Sequence, residues 1–205
     1  NAKAQTFDAD LRVPGVQLAQ LQTAKARSVP VTGVLSLTAT GRGSIHNPEL
    51  NATAQIPQLN LQGQTISNLA LTTTVANHVA NFDLNSNVVN TSARAHGTVQ
   101  LTGDYYANAT IDTQVIPLAP LVAAFVPSQA GSIAGQTELH GTLRGPLKRK
   151  DVVEAHISIP QLSVNYKNAV QLAAANPIKI DYANGVAQLQ RSAIRGTDTN
   201  LEFEK

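Results

Sequence analysis

Leu50-Asn-Ala-Thr-Ala-Gln-Ile56 decides the fold: apolar and polar residues alternate without a break over seven positions. A two-residue period sends successive side chains to opposite faces of an extended strand, so one face meets apolar material and the other meets water. The same alternation returns at Ala80-Asn-Phe-Asp-Leu84, at Tyr105-Tyr-Ala-Asn-Ala-Thr-Ile111 (Tyr106 apart), at Val153-Glu-Ala-His-Ile-Ser-Ile159 and at Ile178-Lys-Ile-Asp-Tyr182. The expected class is all-β, with a long antiparallel sheet. Asn184-Gly185, between two such runs, is a two-residue hairpin signal, and Asn77-His78 holds a comparable place.

One run breaks the period. Pro117-Leu-Ala-Pro-Leu-Val-Ala-Ala-Phe-Val126 is continuously apolar with proline at its start, which suits a first helical turn. It is much shorter than the roughly 20 residues that span a bilayer. Gln17-Leu-Ala-Gln-Leu-Gln-Thr-Ala-Lys-Ala26 looks like its counterpart. Both read as short helices capping the sheet, with an irregular apolar loop as the alternative.

The chain repeats itself. Ile56-Pro-Gln-Leu-Asn-Leu61 returns 103 residues later as Ile159-Pro-Gln-Leu-Ser-Val164. Val16-Gln-Leu-Ala-Gln-Leu21 resembles Ile116-Pro-Leu-Ala-Pro-Leu121 at an offset of 100, and the strand opening at Gly33 resembles the one opening at Gly135 at an offset of 102. Val75-Ala-Asn-His-Val-Ala-Asn-Phe82 resembles Tyr182-Ala-Asn-Gly-Val-Ala-Gln-Leu189 at an offset of 107. The order is shared, so two tandem units are expected, residues 1–103 and 104–205, continuous with each other. Convergent strand and turn chemistry is the alternative. A solenoid or adhesin passenger should repeat every 20–50 residues, which this chain does not.

Composition narrows the class further. The 205 residues include no Cys, so no disulfide framework, thiol nucleophile or cysteine metal site is possible. They include no Met and begin at Asn1, which reads as a piece of a longer protein. The net charge of +2 and 4% aromatics argue against nucleic acid. Charged residues are 14%, against roughly 25% in typical soluble domains. Polarity comes from 16 Asn, 16 Gln and 19 Thr instead.

No catalytic pattern appears. Gly41-Arg-Gly-Ser44 lacks the spacing of a nucleophile elbow, and His46, His78, His96, His140 and His156 are scattered without ligand spacing. The expectation is no enzyme, no metal and no cofactor. Asn51, Asn90 and Asn108 start glycosylation triplets of the kind an Asn- and Thr-rich chain produces by chance. Arg144, Lys148, Arg149 and Lys150 form a basic cluster that reads either as a contact for anionic lipid heads or as a solvated turn. What remains is the aliphatic face: Leu50, Ala52, Ala54, Ile56, Ala80, Phe82, Leu84, Ala107, Ala109, Ile111, Val153, Ala155, Ile157, Ile159, Ile178 and Ile180. It suits contact with flexible hydrocarbon chains; a plain core sealed between two sheets is the other reading.

Gly-bounded strands, then Leu143-Arg-Gly-Pro-Leu-Lys-Arg-Lys-Asp151, then Ile159-Pro-Gln-Leu-Ser-Val164 and Ile180-Asp-Tyr-Ala-Asn-Gly-Val186, resemble the repeats of the AsmA-like superfamily, and within it the TamB (translocation and assembly module) family. Ile116-Pro-Leu-Ala-Pro-Leu121 followed by Gly131-Ser-Ile-Ala-Gly135 adds to the likeness, which covers most of residues 9–203. The resemblance implies a curved sheet forming an open hydrophobic trough, a β-taco. It implies a periplasmic setting, with the full-length protein anchored in the inner membrane. It further implies that phospholipid or another acyl-chain lipid is conducted between inner and outer membranes, and an outer-membrane insertase of the TamA type as partner. The alternative function is a chaperone or scaffold that pairs an exposed sheet edge with strands of outer-membrane proteins.

Overall fold

The computed structural model describes residues 5–20, 31–61, 63–88, 91–167, 169–196 and 200–203. Among these residues the chain is all-β, with two antiparallel sheets and one α-helix. Six strands run up and down in sequence order: β1 (Thr6–Gln17), β2 (Val31–Ser44), β3 (Pro48–Leu61), β4 (Gln64–Ala76), β5 (Val79–Val88) and β6 (Thr91–Gln100). β7 (Tyr106–Thr113) pairs with β6 and carries the sheet onward. The next strands alternate between two sheets. β10 (His140–Pro146), β11 (Glu154–Ile159), β14 (Ile178–Ala183) and β15 (Val186–Leu189) extend the first sheet to eleven strands. β8 (Ile116–Pro117), β9 (Ile133–Thr137), β12 (Leu162–Tyr166), β13 (Val170–Ala174), β16 (Ser192–Gly196) and β17 (Asn200–Phe203) form a six-stranded sheet. The eleven-stranded sheet ends on β1 and β15, which do not pair with each other, so it is not closed into a barrel.

The pairing registers of the two halves coincide. Ala9 lies opposite Gly41, and 100 and 102 residues later Ala109 lies opposite Leu143. Asn51 opposite Thr74 returns as His156 opposite Asp181, and Asn60 opposite Thr65 as Asn165 opposite Gln171. Thr74 opposite Asn81 returns as Asp181 opposite Gln188. Each long strand of the first half therefore corresponds to two short strands of the second: β2 to β9 and β10, β3 to β11 and β12, β4 to β13 and β14.

The breaks follow a line that also crosses the first half. There the registers shift between Val13 and Val16, between Gly33 and Ser36, and between Ser67 and Ala70. Bulges bend a strand and raise its twist, so this line is a crease in the sheet. The extra residue also changes which parity faces the core. In β3 the apolar set is Leu50, Ala52, Ala54 and Ile56 below the crease and Leu59 and Leu61 above it; without the bulge the upper set would point into water.

The two Ile-Pro steps behave differently, and the match between their motifs needs correction. Both Ile-Pro steps should end a ladder, because proline has no N–H to donate. Pro160 does so, between β11 and β12. Pro57 does not: β3 runs through it to Leu61. It falls inside a bulge of β3 itself, where residues 56–58 face only residues 34–35 of β2 between the pairs Ser36–Gln55 and Gly33–Leu59, and opposite Asn68, whose φ is +53°. The register also differs from the motif match: Leu59 corresponds to Val164, an offset of 105, so the two Ile-Pro-Gln-Leu motifs are slid by two residues.

Helix α1 (Leu118–Phe125) forms where the apolar run predicts it, entered from extended Pro117 and ended ahead of Pro127. Its Pro120 and Ala123 are buried, and it packs on β9, β4 and β3. The expected counterpart over 17–26 is corrected in part. Gln17 belongs to β1, Leu18–Gln20 is a single 3-10 turn, and the remainder lies outside the described residues. Both hairpins form at the expected places. Asn77 and His78 have φ of +51° and +62°, and Asn184 and Gly185 have +53° and +74°. Positive φ at both central residues is the type I′ geometry that matches strand twist.

Candidate functional site: the apolar face of the eleven-stranded sheet

Residues directly opposite each other in a ladder share a face, so the registers place every side chain of the sheet. One row runs Ala9, Gly41, Leu50, Val75, Ala80, Val99, Ala107, Gly145. The next runs Leu11, Ala39, Ala52, Thr73, Phe82, Gly97, Ala109, Leu143, Ala155, Tyr182, Ala187. The third runs Val13, Leu37, Ala54, Leu71, Leu84, Ala95, Ile111, Gly141, Ile157, Ile180, Leu189. Thr73 and the tip of Tyr182 are the only polar groups in these three rows. Ile56 continues the face toward the crease opposite Leu69, and Ile159 does so opposite Ile178.

Fifteen of the sixteen sequence-selected residues gather on this one side, the exception being Val153. Thirteen are partly or well exposed; Ala107, Val153 and Ile178 are buried and offer no contact surface. Val153 also lies outside the strand it was expected to open, since β11 begins at Glu154. It packs under β10 at Gly145, where an added Cβ would sit 2.9 Å from the Val153 Cα. The sequence reading missed Leu11 on β1, Ala95 and Val99 on β6, Leu71 on β4 and Leu143 on β10. Their signal was present as the same two-residue period, in Phe7-Asp-Ala-Asp-Leu-Arg-Val13 and Ser92-Ala-Arg-Ala-His-Gly-Thr-Val99.

This face is open. Leu11 is 51% exposed, Ile111 40%, Leu71 37% and Ile157 37%. On the second sheet a hollow of about 530 Å³ includes Val164 and Leu172 and is flanked by Gly135 and Gly196.

The opposite face is a lattice of amides, hydroxyls and paired charges. Asn51, Thr74, Asn81, Thr98 and Asn108 follow one another across five strands. Arg42 pairs with Glu49 at 3.1 Å, and His156 with Asp181 at 2.6 Å. That histidine, then Gln190, holds the Asp181 carboxyl below its ordinary value. His140 sits between two carboxylates, its Nδ1 2.8 Å from Asp112 and its Nε2 2.9 Å from Glu138. Carboxylates only accept, so both bonds together require a doubly protonated ring. Hydrogen bonding to Asp112, then to Glu138, raises the His140 pKa. Asn51 and Asn108 lie on this polar side, and Asn90 lies outside the described residues.

The basic cluster is occupied locally. Arg149 pairs with Asp104 at 2.9 Å, Arg144 donates to the Tyr106 hydroxyl at 2.7 Å, and Lys148 donates to the Gly103 carbonyl while lying 4.4 Å from the Tyr105 ring centroid. These bonds fasten the 147–152 turn to the 101–105 turn. Among the described residues no group of three His, Asp or Glu side chains is placed to hold a metal ion. Protein-family models, characterised proteins and solved structures offer no match to this chain.

Proposed function

We propose that the apolar face holds lipid acyl chains, and that the chain is a non-catalytic segment of an envelope protein that conducts lipid between membranes. One observation carries the binding reading: an aliphatic surface eleven strands wide is left in water. Strands are spaced about 4.8 Å apart, so the rows extend over roughly 50 Å, longer than a single acyl chain. Each methylene moved from water onto such a surface contributes about 0.8 kcal/mol. The rows contain almost no polar group, so nothing in them selects a head group or fixes a tail at one point. Tails should bind with little discrimination and slide along the sheet. The envelope setting and an insertase partner rest on the family resemblance of the Gly-bounded strands and Ile-Pro steps.

Native mass spectrometry of the purified chain tests the reading. Co-purified or added phospholipid should appear as adducts that a soluble, short-chain analogue of the same head group fails to compete away. Adducts lost to the head group alone, or no adducts at any lipid concentration, would remove the reading.

A further inference from the structure

We infer that the joined turns 101–105 and 147–153 form a docking surface for an anionic lipid bilayer. The inference does not rest on the acyl-chain reading, because the two turns lie outside the apolar rows. The first half of the chain shows that the hairpin between β10 and β11 closes without its basic stretch. Arg42 opposite Glu49, on β2 and β3, returns as Arg144 opposite Glu154, on β10 and β11. The first pair closes over six residues, 43–48, with no Lys or Arg among them. The second closes over nine, 145–153, which include Lys148, Arg149 and Lys150. The added residues are not needed to return the strand, so what they present to solvent calls for another reason.

The longer turn is fastened to its neighbour. The Leu147 N–H donates to the Tyr105 carbonyl at 3.1 Å, and the Lys148 N–H to the Asp104 carbonyl at 3.2 Å. Arg149 is held by Asp104 and Arg144 by the Tyr106 hydroxyl, so these two guanidiniums order the platform. What the platform leaves in water is apolar and cationic. Turns ordinarily carry small polar residues. Here Leu101 and Tyr105 are each 39% exposed, Leu147 43% and Val152 41%. Tyr105 stands at a φ of +54°, a left-handed conformation that a bulky residue keeps only where its surroundings impose it. The Lys148 ammonium lies 4.4 Å from the centroid of that ring and spends one of its three donors on the Gly103 carbonyl. Tyr182 donates its hydroxyl to the Lys150 carbonyl at 3.0 Å, which fixes the backbone and leaves the Lys150 ammonium without a bonded partner among the described residues.

Charge and side-chain type together select the occupant. Asp104 is answered by Arg149, and Glu154 lies opposite Arg144. That leaves Lys148 and Lys150 against Asp151, so the tip is net cationic. Tyrosine rings settle at head-group depth, aliphatic tips reach the boundary of the acyl region, and lysine stems lie along apolar matter while their heads meet phosphate. A few apolar tips with a small positive charge give a weak, reversible contact that depends on anionic lipid.

The chain has no tryptophan, so one introduced indole reports its own surroundings. The whole chain carrying Leu147→Trp should move its emission to shorter wavelength with vesicles of phosphatidylcholine and phosphatidylglycerol, and not with phosphatidylcholine vesicles alone. Val152→Trp should behave likewise and serves if Leu147→Trp does not fold. Leu11→Trp, on the apolar face, should respond alike to both vesicle types, since no charge there selects between them. Lys150→Gln should weaken anionic-vesicle binding of the Leu147→Trp chain about fivefold, and added salt should weaken it further. Lipid adducts in native spectra read the apolar face separately and should be the same in Lys150→Gln and wild type. The inference is overturned if neither turn reporter responds to anionic vesicles, or if Lys150→Gln binds them as tightly as its parent. Polyglutamate moving the Leu147→Trp emission as far as anionic vesicles do would also overturn it, by assigning the surface to acidic chains.

Discussion

Ala155 on β11 lies directly between Leu143 on β10 and Tyr182 on β14, in the middle row of the apolar face. It is half-buried. Ala155→Arg puts a charge there that a long stem can carry to the mouth of the face. The chain should fold with less than about 1 kcal/mol lost, while lipid adducts fall sharply in native spectra. A drop of several kcal/mol in denaturant unfolding would instead mean that the face is sealed, because an unpaired buried charge must be desolvated.

Gly97 on β6 faces Phe82 on one side and Ala109 on the other. A Cβ built on it would stand 2.3 Å from the Asn108 carbonyl oxygen and 2.7 Å from the Ala109 Cα. Backbone on a neighbouring strand cannot step aside as a side-chain tip does. Gly97→Ala should therefore cost about 1–3 kcal/mol by overpacking. Gly63→Ala makes no such contact, since nothing lies within 4 Å of its Cβ. Its φ of +79° still makes it strained, so circular dichroism melts should show both variants destabilised, with a wider transition only for Gly97→Ala, which sits in the joint of the two halves.

His78 holds the second position of the Asn77-His78 turn with a φ of +62°. A residue with a Cβ pays roughly 1–2 kcal/mol in this conformation, and glycine does not. His78→Gly should raise stability by roughly 0.5–1 kcal/mol after glycine's extra unfolded-state entropy is counted. That corresponds to about 1–4 °C in Tm for a chain of this size. Asn184-Gly185 already has glycine there, so Gly185→His should shift Tm the other way.

The His140 pKa is raised in the folded chain by its bonds to Asp112 and Glu138. A raised folded value means that the protonated ring stabilises the fold fully below the unfolded value near 6.5, and that this contribution is lost as pH rises through the folded value. Arg94 opposite Asp112 and Lys179 opposite Ser158 flank the site. Melting wild type and His140→Gln side by side between roughly pH 5 and 8 isolates this group from the other four histidines. The advantage of wild type should shrink as pH rises. A gap that stays constant would mean that the two carboxylates do not hold the ring protonated.

Much of the candidate face was legible before any coordinates. Period two needs only parity, so Leu50, Ala52 and Ala54, like Ala155, Ile157 and Ile159, had to share a side once the segment was a strand. The twin hairpins were legible for the same local reason: Asn-Gly and Asn-His accept positive φ. Helix α1 was announced by a proline that fits a first turn. Its expected partner over 17–26 was not separable from a strand end by composition alone, because Val16 and Gln17 complete the ladder of β1 against Leu35 and Val34.

Sequence alone therefore determined the class, the turns and which side chains share a face, because each depends on neighbours within a few residues. Only the tertiary structure decided that Pro57 leaves a strand whole while Pro160 divides one. The outcome turns on whether the proline falls in a bulge, where its missing N–H breaks no ladder bond: Pro57 lies in the stretch of β3 that carries an extra residue against β2. It likewise decided that the second half splits into two sheets and that the aliphatic face is exposed among the described residues. Each of these is a property of hydrogen bonds between residues tens of positions apart, and a local period carries no information about which distant strand supplies the missing donor or whether anything lies above the side chains.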